Sequence, residues 1–198
     1  IDDESQILLL LYSKITIDAQ IRAEEYISHL TNQRVKTFSN QRDSDMAKLA
    51  VTSELFNYNV ILLMAELAKV LGSEKATNLV EEYREEVSVE KVFVDKYWNT
   101  PAMDNERYEG LMGETVHNLN MAIREYSSAD NGEYDKDYTM KDVSADDPQT
   151  LMGRFVKNIR NCIPDVNPIF VIPLAMDMFV KSYGVTKTED VMRLKDCM

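Results

Sequence analysis

The stretch "VILLMAELAKVLG", residues 60–72, indicates the fold more strongly than any other part of the sequence. Its first six residues are all apolar, so a helix through them is apolar on every side. Gly72 follows as a residue suited to a helix C-terminal cap, and Asp43 or Ser44 can cap the beginning of the same helix. We therefore predict a helix over about 44–71 that other helices surround at the centre of a bundle.

The sequence on both sides of this helix predicts further helices. Apolar residues recur at helical spacing over about 3–29 and over about 101–127. Asp147-Pro148 begins another helix that runs to about 162, and segments after Pro168 and Thr188 follow. Residues 168–173 could pass for a strand, but prolines at both ends argue against it. The prediction is an all-α fold: one domain over 1–198, a bundle of six to seven mainly antiparallel helices.

Composition narrows the classes of protein that the chain can belong to. It has 198 residues, of which 44% are hydrophobic, and a formal net charge of -12. No apolar run approaches the roughly 18 residues of a membrane span, so we expect none. The negative charge argues against a surface that binds nucleic acid or membranes throughout. Cys162 and Cys197 make no disulfide framework, which favours the reducing cytoplasm, or a host cell interior if the protein is viral.

An acidic loop is predicted over residues 128–147. It holds seven acidic residues and two lysines, a net charge of 2 − 7 = −5. It lacks the order of ligands that an EF-hand uses for calcium, so we interpret it as a solvated loop. Five of its acids are candidate interaction residues: Asp130, Glu133, Asp135, Asp137 and Asp142.

Two windows of the chain, 26–42 and 148–164, contain no acid and three fixed positive charges each. In the second window the cations fall opposite Phe155 and Ile159, which predicts a basic stripe that faces solvent. In the first window, Phe38 and several amides lie among the cations, a composition that can also grip single-stranded nucleic acid. Six cations are candidate interaction residues: Arg34, Lys36, Arg42, Arg154, Lys157 and Arg160.

Patterns that suggest metal binding or catalysis are weak. Glu114 and His117 have the spacing of di-iron helical bundles, but helical geometry turns Glu114 toward solvent and no second such motif exists. Glu25 and His29 are likewise off the buried face of their helix. Cys162 lies on an apolar side, as a small core residue does. We predict no catalytic residue, no metal and no cofactor.

The charge distribution favours a non-enzymatic helical interaction or assembly protein. Its basic windows would meet the acidic loop of the same chain or of a neighbouring copy, or would bind a protein partner. One alternative is a nucleic-acid-binding protein of the capsid or nucleocapsid type, which would place the same cations on phosphates. A second alternative is a helical bundle that binds a ligand or a metal.

Overall fold

The computed structural model describes residues 3–83, 121–122, 124–126, 148, 150–182, 185–186 and 188–197. The fold is an all-α bundle, as predicted. The helices in the described residues are α1 (Asp3–Asn32), α2 (Gln41–Leu71), α3 (Ser73–Tyr83), α4 (Leu151–Cys162), α5 (Pro168–Ser182) and α6 (Thr188–Asp196). That the whole of 1–198 is one domain stays a prediction.

The long helix α1 buries one face and then ends in a tight reversal. Its buried residues follow the predicted spacing: Leu8, Leu11, Ile15, Ala19, Ala23, Tyr26 and Leu30. After Asn32 the chain turns back through Arg34, whose φ of 56° is the left-handed conformation. This turn lets the backbone N–H groups of Val35 and Lys36 donate to the Leu30 carbonyl at 2.9 and 3.2 Å. The last carbonyls of α1 are satisfied in this way.

Helix α2 has a polar cap at each end. The Asn40 side chain accepts a hydrogen bond from the Asp43 N–H, and Gly72 donates to the Ala68 carbonyl with a φ of 88°. Because α3 begins at Ser73, Gly72 alone separates these two helices. Helix α2 contacts α1, α3, α4 and α6 along its length, and its Tyr58 ring also contacts α5. That it forms the centre of the bundle stays a prediction.

The second half of the chain departs from prediction at one helix start. Helix α4 begins at Leu151 rather than at Asp147-Pro148, because the Thr150 side chain caps it by accepting from the Gly153 N–H. Helix α5 begins at Pro168, as predicted, and continues through Pro173. Residues 168–173, which could pass for a strand, therefore lie in a helix.

An aromatic cluster joins three of the helices inside the core. Tyr58 of α2 lies 4.8 Å from Phe155 of α4 and 4.9 Å from Phe179 of α5, measured between ring centroids. The Phe155 and Phe179 rings are 5.7 Å apart. All three side chains are fully buried. The cluster therefore holds α4 and α5 against α2, and α6 lies against α1, where Lys14 pairs with Asp190 at 2.8 Å.

Two parts of the sequence analysis fall outside the described residues. One contains Glu114 and His117, and the other is the whole of the acidic loop 128–147. The helical residues 121–122 and 124–126 belong to the predicted helix over about 101–127. Among the helices that the structure describes, none combines the length and the apolar character needed to cross a membrane.

Candidate interaction site

The first basic window covers the end of α1, the turn that follows it and the first residues of α2. Arg34 and Arg42 are exposed there, whereas Lys36 is half-buried. The Lys36 ammonium donates to the Asp165 carboxylate at 2.5 Å and lies 5.3 Å from the centre of the Phe38 ring. The hydrogen bond from Lys36 lowers the pKa of Asp165. One cation of this window is therefore engaged within the chain, and the other two face solvent.

Two grooves flank the Lys36–Asp165 pair. The first, of about 450 Å³, is bounded by residues 36–39, by the start of α2 including Met46, and by residues 162–165. The second, of about 520 Å³, is lined by His29, Leu30, Gln33, Arg34, Val35, Asp165, Asn167 and Phe170. Both grooves include Asp165. The fold thus brings the first basic window together with residues 162–164, the last residues of the second basic window.

Arg154 of the second window does not face solvent. The residue is 8% exposed, its Nη1 donates to Glu125 at 3.0 Å, and its Nη2 donates to the Pro148 carbonyl at 3.4 Å. The predicted solvent-facing stripe is therefore wrong at this residue. The reason is that α4 is buried on every side at its beginning, over residues 151–156, so its first turns have no outer face. Lys157 and Arg160 are half-buried.

A buried polar network that the sequence analysis missed lies beneath these residues. The Tyr126 hydroxyl donates to the Glu54 carboxylate, and Asn158 Nδ2 donates to the same oxygen at 2.8 Å. Burial raises the pKa of Glu54, although both hydrogen bonds act in the opposite direction. Burial and the Glu54 charge also raise the pKa of Tyr126 well above its ordinary value. Burial therefore shifts the proton equilibrium of Glu54 toward the neutral carboxyl, compared with a carboxyl in water.

One signal in the sequence could have revealed Glu54. Positions 51, 54, 58 and 61 follow each other at intervals of three and four residues and form one stripe of α2. The other three members of the stripe, Val51, Tyr58 and Ile61, are buried. An acid inside an apolar stripe predicts a buried carboxyl group that needs hydrogen-bond partners. Its partners could not be found this way, because Tyr126 is 72 residues away and Asn158 is 104 residues away.

The network offers no activated nucleophile. Cys162 is half-buried next to it and its thiol donates to the Asn158 carbonyl at 3.3 Å. Burial, followed by the charge of Glu54, raises the pKa of the Cys162 thiol. A catalytic cysteine requires the opposite shift, because the thiolate is the nucleophile. In the part of the chain that is described, no group of three His, Cys, Asp or Glu side chains is placed to hold a metal ion.

Five candidate residues of the acidic loop lie outside the described residues: Asp130, Glu133, Asp135, Asp137 and Asp142. Their interaction role, like that of the exposed cations, stays a prediction. No family model, no curated protein and no solved structure matches this chain. The functional argument therefore rests on the geometry around the two grooves.

Proposed function

We propose that this chain is a non-enzymatic helical interaction protein that binds an acidic segment of a protein partner along the two grooves. Arg34 and Arg42 supply the charge, and the apolar side chains between them supply contact area. The observation that carries the proposal is the exposure of these two arginines beside the grooves. Neither has an ion-pair partner among the described residues, in contrast to Lys36 and Arg154.

The backbone of Arg34 supports this role. A residue with a Cβ atom in the left-handed conformation costs about 1–2 kcal/mol, and glycine avoids that cost. The turn after α1 nevertheless holds an arginine at a φ of 56°, with its side chain in solvent. Local stability does not favour arginine at this position. A charged contact made by its side chain would account for it.

The shape and lining of the grooves suit a peptide with acidic and apolar side chains. Arg34 lines the second groove together with Phe170, which is 50% exposed. Arg42 lies one helical turn before Met46, which lines the first groove and is also exposed. Arginine beside accessible apolar surface is a recurring means of recognising acidic motifs.

The same site is less suited to nucleic acid. Asp43 and Asp165 both line the first groove, and Asp165 lines the second groove as well. A phosphate chain laid along the grooves would meet these carboxylates as well as the arginines. A peptide can place neutral residues opposite the carboxylates, whereas every nucleotide of a strand carries a charge. The nucleic-acid alternative becomes one outcome of the binding test.

The test measures the binding of a labelled peptide by fluorescence anisotropy at low salt. A peptide with the sequence of residues 128–147 is a suitable acidic probe, because its net charge of 2 − 7 = −5 belongs to this chain itself. We expect R34E/R42E to weaken its binding at least tenfold. The matched control is K69E/K75E, which changes the net charge equally at exposed positions of α2 and α3.

Three results would count against the proposal. Equal binding by R34E/R42E and by the control would show that only overall charge matters. If a peptide with its acids replaced by amides bound as tightly as the acidic one, the charge of the peptide would play no part in binding. Tighter binding of a single-stranded oligonucleotide, with the steep salt dependence of phosphate contacts, would favour the nucleic-acid function instead.

A further inference from the structure

The outward face of α1 carries an exposed stripe that the grooves do not use. Its residues alternate at intervals of four and three: Leu10, Lys14, Ile17, Ile21, Glu24 and Ser28. The three apolar members, Leu10, Ile17 and Ile21, are 47%, 55% and 52% exposed. This spacing is that of the a and d positions of a coiled coil, where it forms the seam between two helices. An apolar seam of this kind in solvent indicates an interaction surface.

The order of residues in the stripe is complementary to itself. If a second copy of α1 runs antiparallel about a two-fold axis level with residue 19, Ile17 lies opposite Ile21 of the second copy. Moving outward, Lys14 then lies opposite Glu24, and Leu10 lies opposite Ser28. Each of these layers occurs twice because of the symmetry. The pairing therefore joins apolar with apolar residues at the centre and unlike charges on both sides of it.

Other arrangements of the same two helices lack this match. In a parallel pair, Lys14 would face Lys14 and Glu24 would face Glu24. A shift of the antiparallel pair by one heptad places Lys14 against Ile17 in one direction and Glu24 against Ile21 in the other. The parallel arrangement thus places like charges together, and each shifted arrangement places a charge against an isoleucine. A charge without an opposite partner is costly where water is excluded. The register about residue 19 is therefore selected by charge as well as by apolar contact.

Neighbouring contacts within the chain are compatible with the pairing. Asp18 flanks the seam near the axis, and Arg22 neutralises it with a hydrogen bond of 2.7 Å. Lys14 pairs with Asp190 of α6 at 2.8 Å, but its side chain is still 41% exposed. Because an ammonium group has three N–H donors, Lys14 can hold Asp190 and also reach a carboxylate of another chain.

We propose that a second copy of this chain binds to this stripe, giving a two-fold dimer through antiparallel α1 helices. From Leu10 to Ser28 the seam extends over about 27 Å at 1.5 Å per residue. The dimer uses the outward face of α1, whereas the proposed partner site uses the turn that follows α1. The two proposals can therefore fail separately.

Sedimentation equilibrium of the full chain over a range of concentrations tests the dimer. The expected mass is twice the 22.8 kDa of the monomer, falling toward the monomer on dilution. We expect I17E to give a monomer with an unchanged far-UV circular dichroism spectrum, because Ile17 is exposed in the single chain. I21E tests the same layer independently. The control is V180E, because Val180 is similarly exposed, at 56%, and belongs to α5 rather than to the stripe.

Charge exchange tests the register. E24K places two lysines opposite each other in both Lys14–Glu24 layers, and we expect it to weaken the dimer. The triple variant K14E/E24K/D190N restores unlike charges across the axis and is expected to recover the dimer. Its third substitution removes the negative charge that Asp190 would otherwise present to a glutamate at position 14. A monomeric wild-type chain at high concentration would overturn the proposal. A dimer that survives both I17E and I21E would also overturn it. A triple variant that dimerises no better than E24K would reject this register.

Discussion

The strongest prediction concerns Phe155, whose ring lies at the centre of the aromatic cluster. The side chain is 0% exposed and contacts Tyr58 and Phe179, which belong to two other helices. Replacing a buried phenylalanine with alanine typically costs about 3–5 kcal/mol, through lost transfer free energy and the cavity left behind. Because two ring contacts are lost together, we expect Phe155→Ala to lower the free energy of unfolding by about 4 kcal/mol.

Urea denaturation followed by far-UV circular dichroism measures this difference, and a thermal scan gives a second reading. For a chain of this length, about 4 kcal/mol corresponds to a fall in Tm of about 8–16 °C. Phe170→Ala is the matched control, because Phe170 is 50% exposed, and we expect it to cost less than about 1 kcal/mol. Similar losses for the two variants would refute the view that this cluster holds α4 and α5 against α2.

Three further predictions concern the polar network and the helix caps. Because burial raises the pKa of Glu54, the folded state binds a proton more tightly than the unfolded state, so this group stabilises the fold at acidic pH and the contribution is lost as pH rises through the folded pKa. Glu54→Gln should remove that loss. The urea midpoints of the variant and of the wild type, measured at a series of pH values, should therefore differ more and more toward neutral pH. Parallel plots of midpoint against pH would contradict this, and so would the same change in the control Glu66→Gln. Gly72→Ala should cost about 1–3 kcal/mol, because the φ of 88° is strained for alanine although no atom lies within 4 Å of the added Cβ; a neutral result by the same assay would show that α2 and α3 tolerate another junction. Asn40→Ala should cost about 1 kcal/mol through loss of the hydrogen bond from the Asp43 N–H, and Asn40→Ser should recover most of it.

Local signals predicted the all-α fold and the end of α2, where Gly72 is the cap that its type suggests. The start of α2 was placed too late, because the Asn40 side chain caps the helix rather than Asp43 or Ser44. These features depend on residues within one or two turns of each other, which periodicity and capping rules can read. The start of α4 was misplaced because Asp147-Pro148 and Thr150 both resemble helix starts, and only the hydrogen bond to Gly153 distinguishes them.

The candidate site depends on contacts that connect distant parts of the chain. Charge counting found the first basic window, and Arg34 and Arg42 are exposed as an interaction role requires. The prediction that Arg154 faces solvent failed. A helical wheel assumes one buried face and one exposed face, whereas the beginning of α4 is buried on every side. The pair between Lys36 and Asp165 spans 129 positions, so no local pattern contains it. Sequence composition identifies which charges exist, and tertiary packing decides which of them remain available.

The pairing of Lys14 with Asp190 has a consequence for the synthesis of the chain. The two residues are 176 positions apart, so α6 leaves the ribosome about 9–35 s after the part of α1 that it contacts, at 5–20 residues per second. Helix α2, which follows α1 directly, can cover the main apolar face of α1 early. The edge of α1 that faces α6 stays uncovered until these 176 further residues have been made. Docking of α6 is therefore expected to follow the pairing of α1 with α2.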